Sequence, residues 1–117
     1  MLVKTILDKT IIHQLLEITE DCGGYFKYDT FGNKTRIVLI LDSNKIDILH
    51  ISEVYDIDNQ KVIPAFIDFK FDVGGMIACF HDVSESKALG WLEYIIEQTH
   101  SRQSFGVALM DIIKNKK

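Results

Sequence analysis

Cys79 and His81 alternate along one apolar run, Met76 to His81, so a strand there presents a thiol and an imidazole on the same face. His50, in an earlier apolar run, is expected to face the same way. A Cys/His/His set is the chemistry of a zinc site. The expected strand order works against it. His50 and His81 flank Ile67 on successive strands, which separates their backbones by about 10 Å, too far for both to reach one ion at about 2 Å. Cys79 with a histidine is also the composition of a nucleophile and its base. Its expected neighbour is Phe69, and an apolar setting keeps a thiol protonated and inert.

Carboxylates come in groups: Asp56 with Asp58, Asp68 with Asp72, and Glu53 nearby. The run Asp56-Ile57-Asp58-Asn59-Gln60 starts like a calcium loop. It lacks the loop's sixth-position glycine and its later bidentate glutamate, and a turn explains the same residues. Gly23-Gly24 follows a helix rather than opening one, so it makes no phosphate cradle. No serine stands in a nucleophile elbow. The expectation is a chain with no catalytic residues, no metal and no cofactor.

What must position these residues is the block from Gly24 to Asp82, where short apolar runs alternate with turn signals. Turns at Gly32-Asn33, Ser43-Asn44, Asp58-Asn59 and Val73-Gly74-Gly75 predict a five-stranded antiparallel meander. They put Phe26 opposite Leu39, Leu39 opposite Ile48, His50 opposite Ile67, Val54 opposite Ile63 and Phe69 opposite Cys79. One face then collects Phe26, Tyr28, Ile37, Leu39, Leu41, Ile46, Ile48, Val54, Ile63, Ala65, Ile67, Phe69, Phe71, Ile77 and Cys79. The helices are expected to pack there. A helical stripe through Val3, Leu7, Ile11, Leu15, Ile18 and Cys22 precedes the strands and stops at Gly23-Gly24. Asp82, with Glu85 three residues on, resembles a capping box, and Ser84 competes for the role. Ala88, Leu89, Leu92, Ile95 and Ile96 form the second helix's stripe; Phe105, Ala108, Leu109, Ile112 and Ile113 form the third's. The predicted fold is α+β, one domain over residues 1–117: an N-terminal helix, the five-stranded sheet, and two C-terminal helices packed on it.

The opposite sheet face is less ordinary. It combines Tyr25, Lys27, Asp29, Arg36, Asp47, Glu53, Asp68, Lys70 and Asp72 with Val38, Ile40, Leu49, Ile51, Phe66 and Phe80. A solvated face should be mostly polar. Either a helix crosses over to cover the apolar centre, or the strands curl around it, or it is a protein interface. Trp91 and Tyr94 lie off the second helix's stripe, where they would serve as interface anchors or close the sheet edge.

The totals narrow the function. Apolar residues make up 47% and charged ones 26%, a globular balance. Net charge is −4, and only Arg36 and Arg102 are arginines among 13 bases, which argues against nucleic acid. The two cysteines make no disulfide framework. Neither a leader nor a run near 18 apolar residues is recognisable, so the expected location is cytoplasmic, away from the membrane. Acidity, the lack of chemistry and a mixed apolar–acidic face favour a protein-binding module. The specific expectation is a small bacterial immunity protein or antitoxin that covers the active site of a basic, nuclease-type toxin. The expected partner contacts are Asp47, Glu53, Asp56, Asp58, Asp68 and Asp72, with Phe66, Trp91 and Tyr94 as anchors. The alternative is a homo-oligomeric ligand-binding or enzymatic domain, possible as a homodimer, with a pocket between sheet and helices and His50, His81 and Tyr28 at its mouth.

Overall fold

A computed structural model describes residues 9–101 and 104–116. Helix α1 (Lys9–Asp21) leads into β1 (Tyr25–Phe31), β2 (Lys34–Leu41) and β3 (Asn44–Ile51). The short strands β4 (Val54–Asp56) and β5 (Lys61–Ile63) follow, then β6 (Phe66–Val73) and β7 (Met76–Phe80). Helices α2 (Glu85–His100) and α3 (Phe105–Asp111) close the chain, α3 running on into a wider turn at Ile112–Lys116. The main sheet is antiparallel with order β1-β2-β3-β6-β7, and β4 pairs with β5 as a separate ribbon. The fold is the expected α+β arrangement.

Each turn sets the register of the strands it joins. Gly32 takes φ +61° at the first of two turn positions, the glycine-dependent hairpin, and Phe26 lies opposite Leu39 as expected. The next turn sits one residue earlier than expected, at Asp42-Ser43, both with positive φ. Leu39 therefore faces Ile46 rather than Ile48. That shift moves the pairing by two residues, so every side chain keeps its face.

The last turn has two residues, Gly74-Gly75, and not three. This moves the pairing by one, and β7 is flipped relative to the expectation. Phe80 faces Phe69 and points to the helices, while Cys79 pairs with Lys70 on the opposite face. Ile77 and Cys79 are exposed, which corrects their assignment to the core.

The pairing of β4 with β5 continues the β3–β6 ladder, since Val54 lies opposite Ile63 as expected. Pro64, which has no N–H to give, stands in the break between the two ribbons. The result is a hairpin arm, residues 54–63, beyond the main sheet.

All three helices lie on one side. Ile11, Leu15 and Ile18 of α1 are buried; Val3 and Leu7 of the expected stripe lie outside the described residues. In α2 the buried residues are Ala88, Trp91, Leu92, Ile95 and Ile96, so Trp91 belongs to the stripe and is not at its flank. Ser84 wins the capping role, its Oγ accepting from the Lys87 N–H at 3.2 Å. Asp82 sits outside the helix with φ +53°. In α3, Phe105, Ala108 and Leu109 face the core as expected.

Gly23, with φ +70°, ends α1, and the Gly24 N–H closes on the Thr19 carbonyl at 2.6 Å. Gly24 itself is needed for space. A Cβ there would stand 2.4 Å from the Ile40 carbonyl oxygen and 2.5 Å from Leu41 Cδ2. Backbone does not yield cheaply, so Gly24→Ala should lower stability by about 1–3 kcal/mol in a denaturant melt. Gly90, where an added Cβ meets nothing within 4 Å, is the control. Gly90→Ala in mid-helix should gain about 1 kcal/mol.

Candidate functional site

The sheet face away from the helices has no covering element among the described residues. None of the described helices crosses over to it, as one of the expected alternatives had it. Successive strands line up its rows: Lys27, Val38, Asp47, Lys70 and Cys79 in one, and Asp29, Arg36, Leu49 and Asp68 in the next, which His81 extends at the end of β7. Val38 is buried here with no helix over it. Lys27 and Asp47 lie on either side of it in register, and the stem of a long charged side chain covers apolar surface while its charge reaches water.

The charges on this face are balanced rather than acidic. Arg36 grips Asp47 through two bonds, Nε donating to Oδ1 at 3.0 Å and Nη2 to Oδ2. Asp47 and, to a lesser degree, Asp29 hold the guanidinium protonated above its usual range. Arg36 lies opposite Asp29 in register, yet it bonds diagonally to Asp47. Lys27 pairs with Asp29 at 3.3 Å. Asp68 accepts the Asp82 N–H at 2.9 Å, with His81 Nδ1 at 3.4 Å from its other oxygen. Asp72 accepts the Gly75 N–H at 3.0 Å and so fixes the last turn. Of the expected partner contacts, Asp47, Asp68 and Asp72 thus have structural work on the sheet. A shallow depression of about 380 Å³ lies on this face between Arg36, Leu49, Lys70, Cys79 and His81.

The arm carries the other expected contacts. Glu53 stands at its base, Asp56 and Asp58 at its tip. Tyr55, Ile57 and Val62 project from it, with Ile57 78% exposed. Asp56 accepts from both the backbone and side-chain N–H groups of Asn59, at 3.3 and 2.7 Å, and these bonds hold its carboxyl below the usual range. The tip is therefore ordered by its own hydrogen bonds while Tyr55, Ile57 and Val62 stay in water.

Trp91, expected as an anchor, is 3% exposed and lies edge-on against Phe69, Phe71 and Phe80. Of its two expected roles, it fills the one that closes the sheet against solvent. Tyr94 is half-buried and its hydroxyl donates to Asp111 Oδ2 at 2.7 Å, tying α2 to α3. Phe66 is half-buried on the open face next to the arm.

His50, Cys79 and His81 do not converge. His50 points to the helix side, while Cys79 and His81 lie on the open side. Among the described residues no three His, Cys, Asp or Glu side chains are placed to share a metal ion. Tyr28 lies beside α1, so it shares no mouth with either histidine.

His50 has a different significance. It is 1% exposed and neither ring nitrogen has a partner. It lines a cavity of about 200 Å³ with Ile67, Val83, Ser84 and Glu85, at the first turn of α2. The Glu85 Oε2 is also buried and unpartnered. Burial pushes the His50 imidazole below its ordinary pKa and the Glu85 carboxyl above. The alternation of β3 places His50 inward, whereas the sequence marks Glu85 only as part of a capping box and not as a group lining a cavity.

These features define an α+β protein with helices on one side of an antiparallel sheet, a second face that no described element covers and a projecting arm. No family model matches the chain, and neither characterised proteins nor solved structures include a match to it. None of the described helices is long and apolar enough to cross a membrane.

Proposed function

We propose that this chain is a non-catalytic protein-binding module whose binding surface is the arm and the adjoining edge of the open face. In its specific form it is a small cytoplasmic immunity protein or antitoxin of bacterial type, seated on a basic, nuclease-type toxin. The observation that carries this reading is the arm itself. Tyr55, Ile57 and Val62 stand exposed on a two-stranded ribbon separate from the main sheet. An isolated hairpin is marginal in water, so a side-chain set like this has its use elsewhere. Glu53, Asp56 and Asp58 surround it against Lys61 alone, so the arm attracts a cationic cleft.

Tyr55 and Ile57 are the expected hot spots, with the acids setting on-rate and salt dependence. Co-purification from the host should recover a basic protein that binds less tightly as salt rises. Tyr55→Ala with Ile57→Ala should weaken that purified complex by at least about tenfold and leave the thermal melt in place. Undiminished affinity of the double variant, or binding indifferent to salt, would count against the reading.

A second reading, a ligand-binding domain, is favoured by one observation: His50 and Glu85 present unpartnered buried polar atoms to the same cavity. A small hydrogen-bonding molecule that raises the melting temperature of the native chain, but not of His50→Leu, would support it.

A further inference from the structure

We propose that the chain forms a two-fold symmetric dimer by pairing β1 with the β1 of a second copy, making one continuous ten-stranded sheet. Among the described residues β1 pairs only with β2, and no described strand lies along its other edge. It is seven residues long, and Tyr25, Tyr28 and Phe31 on it are all exposed, Phe31 at 84%. Natural edge strands are usually short, bulged or charged against such pairing. This one is regular along its whole length.

The register identifies which backbone groups are free. Phe31 and Lys34 close a two-residue turn, so that pair exchanges both hydrogen bonds, and alternate pairs do the same. Tyr25, Lys27, Asp29 and Phe31 thus bond inward to β2. Phe26, Tyr28 and Thr30 point their N–H and C=O groups outward.

A second copy must match outward groups with outward groups and keep both faces of the sheet aligned. Only even shifts do this. Centring the pair on Tyr28 puts Phe26 opposite Thr30 of the other copy, and Lys27 opposite its Asp29, twice by symmetry. Tyr25 then stacks across from Phe31. Shifting by two residues in one direction sets Lys27 against Lys27, and in the other sets Asp29 against Asp29. Like charges directly opposite are destabilising, so the charges select the Tyr28-centred register. Lys27 and Asp29 are about half exposed, and the ion pair they make with each other along β1 exchanges for two such pairs across the interface. A lone lysine here would repel a second copy; an acid and a base placed symmetrically about Tyr28 do not.

The helix side of the sheet fits the same partner. A groove of about 390 Å³ runs beside this edge between Ile12, His13, Leu16 and Tyr28. The other copy's Tyr28, opposite this one, has its ring on that side and enters the groove. The interface is isologous and closes at two copies.

Sedimentation of the full chain should show a concentration-dependent dimer with no larger species. Lys27→Glu alone and Asp29→Lys alone should each be monomeric, since each opposes like charges twice. Mixed together they should form a heterodimer. The acid introduced in the first variant then meets the base introduced in the second, while the first variant's native Asp29 meets the second's native Lys27. Tyr28→Pro, which takes away an outward N–H and the ring that enters the groove but no β1–β2 hydrogen bond, should keep the circular-dichroism spectrum and abolish the dimer. In the dimer the amides of Phe26, Tyr28 and Thr30 should exchange slowly. The proposal is overturned by a chain that stays monomeric, by a ladder of larger species, or by single variants that dimerise alone. A mixture that fails to dimerise overturns it as well.

Discussion

Trp91→Ala should lower the unfolding free energy by about 3–5 kcal/mol, the cost of emptying a large aromatic site in a core. Domains of this size are stable by only about 5–15 kcal/mol, so the variant sits close to unfolding at ambient temperature. The reason is position. Trp91 reaches from α2 to the sheet, with ring centroids 5.0 Å from Phe69, 5.3 Å from Phe80 and 5.9 Å from Phe71. All three contacts are edge-on, the geometry that adds to simple burial. It touches both β6 and β7, so its loss also loosens the last strand of the sheet. Urea titration should show a lower midpoint with an unchanged slope. Trp91→Phe, which keeps a ring there, should recover a good part of the loss. A Trp91→Ala chain with a native midpoint but impaired partner binding would show instead that the ring serves the surface.

The same tryptophan explains where the sequence could be read and where it could not. In β2, β3 and β6 charged residues such as Arg36, Lys45, Asp47, Asp68 and Lys70 fall on the other parity and the turns fix the register, so Ile37, Leu39, Ile46, Ile48, Ile67, Phe69 and Phe71 are legible as one face even though one turn is displaced by a residue. The displacement there is a two-residue change in pairing, to which facing is blind. In β7 the run Met76-Ile77-Ala78-Cys79-Phe80 is apolar at every position, so alternation says nothing about which side faces in. Only the partner decides. Phe80 has Trp91 to pack on, and Gly74-Gly75 allows the tight turn that turns it inward. Trp91 was itself hidden because Leu89 offers an equally good stripe with Ala88 and Leu92. The arm was hidden for a related reason. Its register is continuous with that of the sheet, and only Pro64 marks where the sheet ends. On the candidate surface, acid content alone gave no guide to free acids. Asp47, Asp68 and Asp72 are engaged by Arg36, by the Asp82 N–H and by the Gly75 N–H, which leaves the arm as the acidic element that does not hold the sheet together.

His50→Leu should raise stability at neutral pH by about 2–4 kcal/mol, because it removes two buried nitrogens that no group satisfies. The gain should grow on acidification. Burial alone lowers the pKa of this imidazole in the folded chain. The unfolded chain therefore takes up the proton first. Between the ordinary histidine value of about 6.5 and the lower folded value, the unfolded state binds more protons, and stability falls as pH falls. Above that window both states are neutral at this site and the pH dependence from His50 vanishes. Glu85 acts in the opposite sense, since its carboxyl is raised by burial. Over the interval from its unfolded value up to its folded one, the folded state holds the proton and stability declines as pH rises. The two residues line one cavity, so the wild-type profile contains both slopes, of opposite sign. Denaturant melts between mildly acidic and neutral pH should show the His50 slope in the wild type and its absence in His50→Leu. Should the variant instead be less stable than the wild type at neutral pH, the imidazole has a satisfied place in the core. The reading of the cavity as a polar site left open for a ligand then fails with it. If the gain appears as stated, the chain keeps a destabilising residue in its interior, and the trade of stability for function is what such residues mark.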